Sequence, residues 1–217
     1  MPWRLIGAVS AALLWLPCGA LAQQEDHARL DPHAAHRQMM QSQAEPGAGS
    51  AGIRIPDTRL VTQAGDEVRL ASDVVGDRIV VMDFVYTTCT TVCPVLSAIL
   101  SQVQGQVADR LGEDVVLVSI TVDPQRDTPA RLLDYSQKMR AADGWYWLTG
   151  AKTDVDDVLR ALGVYTPNFE DHPAVVLVGD AASGEWTRLV GFPGAGQIVE
   201  RINEFSAARR TQAAVTE

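Results

Sequence analysis

The chain has 217 residues, 47% of them hydrophobic, enough for one domain with a sizeable core and some surplus. Its 27 acidic side chains against 18 basic ones give a net charge of −9, which argues against nucleic acid and anionic lipid as partners. Residues 1–22 carry one charge, Arg4, ahead of the apolar stretch Leu5–Leu16 and the small-x-small sequence Ala20-Leu21-Ala22. This reads as a secretory signal peptide or, if uncleaved, as a membrane anchor. Cleavage after Ala22 would remove Cys18; the Trp15-Leu16-Pro17 before it lacks the small residues that lipoprotein processing favours. What remains holds 17 basic and 27 acidic side chains, a charge of −10 suited to a soluble extracytoplasmic protein. It also holds two cysteines, Cys89 and Cys93, which can readily pair in an oxidising compartment.

Residues 23–52 are polar and rich in Gln, Ala, Gly and Ser, without strand or sustained helix periodicity, and read as a flexible arm. His27, His33 and His36, followed by Met39 and Met40, are copper-type ligands by softness, and equally the contents of a solvated linker. From Ile53 the chain becomes globular. Thr58–Leu70 alternates around Gln63-Ala64-Gly65-Asp66, which predicts a β-hairpin.

The run Ile79–Val85 is apolar and largely β-branched except for Asp83, the pattern of a strand buried on both faces. A loop of threonines follows, then Cys89, Cys93 and Pro94, the last suited to the first turn of a helix running to about residue 110. Both cysteines therefore fall where a strand hands the chain to a helix N-terminus. Its dipole and free N–H groups favour thiolate over thiol, the form required of a redox nucleophile and of a soft-metal ligand alike.

Val115–Val122 is a second buried strand, ended by Asp123-Pro124. Thr128 caps a helix with Pro129 at its first position, running to about Met139. Trp145-Tyr146-Trp147-Leu148 is a short aromatic strand or loop, and Thr153 caps a helix to about Leu162. Ala174–Val178 and Trp186–Val190 form a hairpin across residues 179–185, and a last helix covers about Gly196 to Ala208, with a tail over 209–217. This order predicts an α/β domain over 53–208, a mixed sheet with helices on both faces.

A strand, a cysteine pair opening a helix, a βα unit and a terminal ββα together resemble the thioredoxin fold. Thr88-Cys89-Thr90-Thr91-Val92-Cys93-Pro94, Thr121-Val122-Asp123-Pro124-Gln125-Arg126-Asp127-Thr128-Pro129, Trp147-Leu148-Thr149-Gly150 and Asp171-His172 narrow the resemblance. They are similar to the SCO/SenC family of extracytoplasmic copper proteins linked to cytochrome c oxidase assembly, over about residues 55–207.

The resemblance implies a thioredoxin-like sheet with an N-terminal β-hairpin extension, and copper held by Cys89, Cys93 and His172. It implies a periplasmic, monomeric metallochaperone whose partner is the copper-bearing subunit of the oxidase or another periplasmic copper protein. Two thiolates suit Cu(I), and one imidazole adds a third ligand that also serves Cu(II). Zinc fits less well, since a structural zinc site wants four such ligands.

The other function open to these residues is thiol–disulfide exchange, with Cys89 attacking and Cys93 resolving. Asp83 departs from the family pattern and matches the spacing at which thioredoxins place a buried acid. It is a proton-relay candidate, or else an acid bonded locally at the strand rim. Thiol peroxidase is weaker, for want of its Pro-x-x-x-Thr-x-x-Cys context. Pro173 stands where the family more often has Ser or Thr, near the place of thioredoxin's cis-proline. Asp123, Arg126 and Asp127 shape the site edge or brace its loop.

Overall fold

The computed structural model describes residues 53–216; the expected signal peptide and arm, with Cys18, His27, His33 and His36, lie outside the described residues. The hairpin forms where predicted, as β1 (Arg59–Thr62) and β2 (Glu67–Arg69) around the Gln63–Asp66 turn. A π-helical turn, Leu70–Val75, follows it and was not legible beforehand. It buries Leu70, Val74 and Val75; the sequence reading ends the hairpin at Leu70 and assigns residues 71–75 to no element.

Then come β3 (Ile79–Val85), α1 (Val92–Gln106), β4 (Val115–Thr121) and α2 (Pro129–Lys138). After these lie β5 (Trp145–Thr149), α3 (Lys152–Ala161), β6 (Val175–Asp180), β7 (Glu185–Val190) and α4 (Ala195–Thr216). Thr128 caps α2 by accepting from Arg131 N–H, with Pro129 at the first position. The N-cap of α3 is Ala151 rather than Thr153, with no side-chain bond. The last helix runs beyond Ala208 through the expected tail to Thr216; Arg209 is ion-paired to the buried Asp180 at the end of β6.

The seven strands lie in the order β2-β1-β5-β4-β3-β6-β7. β3, β4 and β5 are mutually parallel, and β1, β6 and β7 run antiparallel to their neighbours. The aromatic segment is thus an inner strand, and the hairpin is no appendage: β1 pairs with β5 and lengthens the sheet.

Every residue of β3 and of β4 is buried, because helices cover both faces. On one face Val81, Val85 and Leu117 pack with Cys93, Leu96 and Leu100 of α1, and with residues of α2 and α4. On the other, Val80, Met82, Phe84 and Val118 pack with Val155 and Val158 of α3. Asp83 shares the parity of Val81 and Val85 and so lies on the α1 face.

Gly179 of β6 sits directly opposite Trp186 of β7, and a Cβ there would land inside the indole ring. Gly179→Ala should therefore destabilise the fold by about 1–3 kcal/mol. A urea midpoint unchanged from wild type would show that the indole shifts freely.

Candidate functional site at the cysteine loop

β3 ends at Val85, and a turn closed by Cys89 N–H donating to Tyr86 C=O (3.1 Å) brings Cys89 to the mouth of α1. Cys93, one residue into the helix, is wholly buried, and Cys89 is 7% exposed. The helix begins at Val92, two residues before Pro94, so Cys93 belongs to its first turn. Its backbone N–H, one of the groups a helix start leaves without an internal partner, donates to Cys89 Sγ at 3.3 Å. The Thr91 hydroxyl lies 4.0 Å from the same sulfur. Both cysteines are free thiols.

The two sulfurs differ in acidity. Burial pushes Cys89 up, but hydrogen bonds from Cys93, from the Thr91 N–H and from Tyr86 outweigh it and draw the thiol down to about 7. Burial, reinforced by the bond to Cys89, drives Cys93 far above the ordinary thiol range. Burial likewise pushes Tyr86 up to about 12, with the neighbouring Cys89 adding to the shift. Near neutral pH Cys89 is thus about half thiolate, while Cys93 is a wholly buried thiol held beside it. That is the division of labour disulfide exchange needs.

Behind the pair, Asp83 is completely buried rather than at the strand rim. Its Oδ1 accepts from Ser119 Oγ at 2.5 Å, and Ser119 Oγ accepts from Trp145 Nε1 at 3.0 Å; among the described residues Oδ2 has no partner. Burial raises the Asp83 carboxyl to about 7, against the lowering pull of the Ser119 bond. Ser119, directly opposite Asp83 in the β3–β4 register, is a site residue the sequence reading passed over. The available signal was a hydroxyl among apolar residues in a buried strand run, which burial obliges to find a partner.

His172 comes to the same sheet edge by a 3₁₀ turn, Phe169–Asp171. Its Nδ1 lies 2.9 Å from Phe169 O and its Nε2 3.2 Å from Phe84 O, and Tyr86 packs edge-on against its ring. A neutral imidazole has one N–H, so one of these contacts sets a lone pair against a carbonyl. Among the described residues no three His, Cys, Asp or Glu side chains are close enough to hold a metal ion. The structure thus joins Cys89 to Cys93 and brings His172 to their edge of the sheet, without gathering the three. The His172–Pro173 bond is trans, as are all peptide bonds among the described residues.

The DP-x-RDTP segment is divided between two tasks. Arg126 pairs with Asp123 (3.1 Å) and lies over the Phe169 ring, bracing the histidine's loop. Asp127 instead accepts from Thr87 N–H (3.1 Å), Thr87 Oγ1 (2.5 Å) and Thr121 Oγ1 (2.6 Å), joining the ends of β3 and β4 beneath the cysteine loop.

A mixed sheet with a C-x3-C pair at the strand-to-helix junction defines a thioredoxin-like protein, and solved structures bear out the fold. One is yeast Sco1 with copper bound: TM-score 0.59, 22% identity, covering 74% of this chain and 95% of that one. Another is BsSco, described as a member of the Sco family of cytochrome c oxidase assembly proteins: TM-score 0.61, 21% identity, covering 72% and 95%. The chain belongs to the SCO1/SenC family, whose model matches residues 53–207. SenC of Rhodobacter capsulatus is 34% identical over 121 residues, 55% of this chain and 52% of that protein. The chain spans about half or less of the length of the curated relatives it matches. Among the described residues no helix is long and apolar enough to cross a membrane.

Proposed function

We propose that the chain is an extracytoplasmic copper carrier that binds one copper ion as cargo through Cys89, Cys93 and His172 and passes it to a copper centre of cytochrome c oxidase or to another periplasmic copper protein. The observation that carries this reading is the pair of free thiols at the mouth of α1, with Cys93 N–H donating to Cys89 Sγ at 3.3 Å and Cys89 drawn down to about 7. Two thiol donors are the soft set that Cu(I) takes, and copper displaces the remaining thiol protons as it binds. Imidazole complements them, and His172 stands at the same edge of the sheet, its Nε2 3.2 Å from Phe84 O near the end of β3. Support comes from relatives solved with copper bound in yeast and Arabidopsis, and from the oxidase-assembly family to which BsSco belongs. Residues 1–22, as a signal peptide or an anchor, fit export.

Copper and free thiols counted together on the reduced protein test this. One copper per chain is expected in wild type, and Cys93→Ser should lose it; a serine variant that binds as tightly as wild type would rule the pair out as the site.

A second reading, thiol–disulfide exchange on target cysteines, is favoured by the unequal sulfurs and by the buried acid Asp83 behind them. Cys89 thiolate would attack a target disulfide, Cys93 would resolve the mixed disulfide, and Asp83 would take up the proton that Cys93 sheds.

A further inference from the structure

Asp127 is 1% exposed, and among the described residues its donors are uncharged: the Thr87 N–H, the Thr87 hydroxyl and the Thr121 hydroxyl. Asp127 lies 40 residues from Thr87 in sequence, so this contact spans the whole β3–α1–β4 crossover. Thr87 is two residues before Cys89, inside the turn that Cys89 N–H closes on Tyr86 C=O. The position of Cys89 Sγ over the Cys93 N–H therefore depends on where that turn is anchored, and the anchor is a carboxylate. Bonds to an ionised acceptor are shorter and about twice as strong as neutral ones. Two oxygens are needed to accept all three donors, and an amide in their place would set its own N–H₂ against one of them. The neighbouring Arg126–Asp123 pair is a different kind of contact, with the arginine 59% exposed and little to contribute.

We propose that Asp127 is the positioning residue of the cysteine pair: by gripping Thr87 it holds the 86–89 turn so that Cys89 Sγ faces the Cys93 N–H. It rests on reading Cys89 and Cys93 as the reactive groups, and deepens that reading by naming what sets their geometry.

The test uses the reduced, metal-free protein with Asp127→Asn, Thr87→Val and Thr87→Ser. Two quantities are read: the rate of Cys89 alkylation by iodoacetamide at pH 7, and the dithiol–disulfide equilibrium of the pair against glutathione. Asp127→Asn and Thr87→Val should each slow alkylation about tenfold, because the N–H bond that supports the thiolate is lost. The same loss destabilises the reduced form, so the equilibrium should move about tenfold toward disulfide, roughly 30 mV. Thr87→Ser keeps the hydroxyl and should retain the wild-type rate and equilibrium, a rescue that a merely structural threonine would not produce. Should Asp127→Asn fail to fold, the two Thr87 variants decide alone. Wild-type alkylation in Asp127→Asn, or equal losses in Thr87→Ser and Thr87→Val, would overturn the proposal. Alkylation is read without metal, so a chain that shows these effects yet takes no copper loses the carrier reading and keeps this one.

Discussion

Replacing His172 with alanine should weaken copper binding by about 100-fold or more while leaving both thiols titratable. Even groups that only orient a metal's ligands are worth 10–100-fold in affinity, so removing a ligand should do at least as much. A competition titration of the reduced protein against a Cu(I) chelator, wild type beside His172→Ala, measures it. The imidazole also donates a hydrogen bond to one of the carbonyls of Phe169 and Phe84, so a loss of about 1 kcal/mol in stability should accompany the change. Unchanged affinity with that small stability loss would make His172 a latch between its loop and β3, with copper on the sulfurs alone.

Asp83→Asn should flatten the dependence of stability on pH. In the folded chain the carboxyl titrates at about 7, and in the unfolded chain at about 3.9. Between those values the native state keeps a proton that the unfolded state has released. The stability Asp83 contributes is thus fully present below about pH 4 and declines as pH rises, its loss complete once pH has passed about 7. The whole decline is on the order of 4 kcal/mol. Asparagine can still accept from Ser119 and never ionises, so unfolding midpoints of the variant should stay level over the window where wild type falls. Disulfide exchange near neutral pH should slow markedly in the variant, with no buried acid left to take the Cys93 proton, and copper affinity should hold. Identical pH slopes in the two proteins would place the proton elsewhere; normal exchange with weakened copper binding would assign Asp83 to the metal site instead.

The frame of the fold was legible because its inner strands are apolar on both faces, as β3 and β4 must be beneath two helical layers. Thr128-Pro129 marked a helix start for a reason of local backbone chemistry, and the structure keeps it. The cysteine pair was legible as well, since spacing and a following proline fix its junction. What escaped the sequence was contact set by register. Nothing in the residues alone pairs Ser119 with Asp83, or brings Thr87 to Asp127 across the crossover. The two roles of the DP-x-RDTP segment were merged for the same reason: Arg126 and Asp127 are adjacent, yet one reaches the Phe169 ring and the other the end of β3. The π turn and the long α4 were misjudged because each is set by what it packs against or pairs with, Asp180 holding Arg209 in the latter.

Ile53 and Ile55 line a groove with Val75, Gly76, Ala181 and Trp186, beside the first residue of β3 and the last of β6. The cysteines lie past the opposite end of β3, seven residues and roughly 23 Å away along the strand. The domain is therefore polar in the geographic sense, with Ile53 and Ile55 at one pole and Cys89 at the other. If residues 1–52 fasten the chain to a surface, Cys89 is presented outward by a full strand length, and an acceptor meets it head-on without passing the point of attachment.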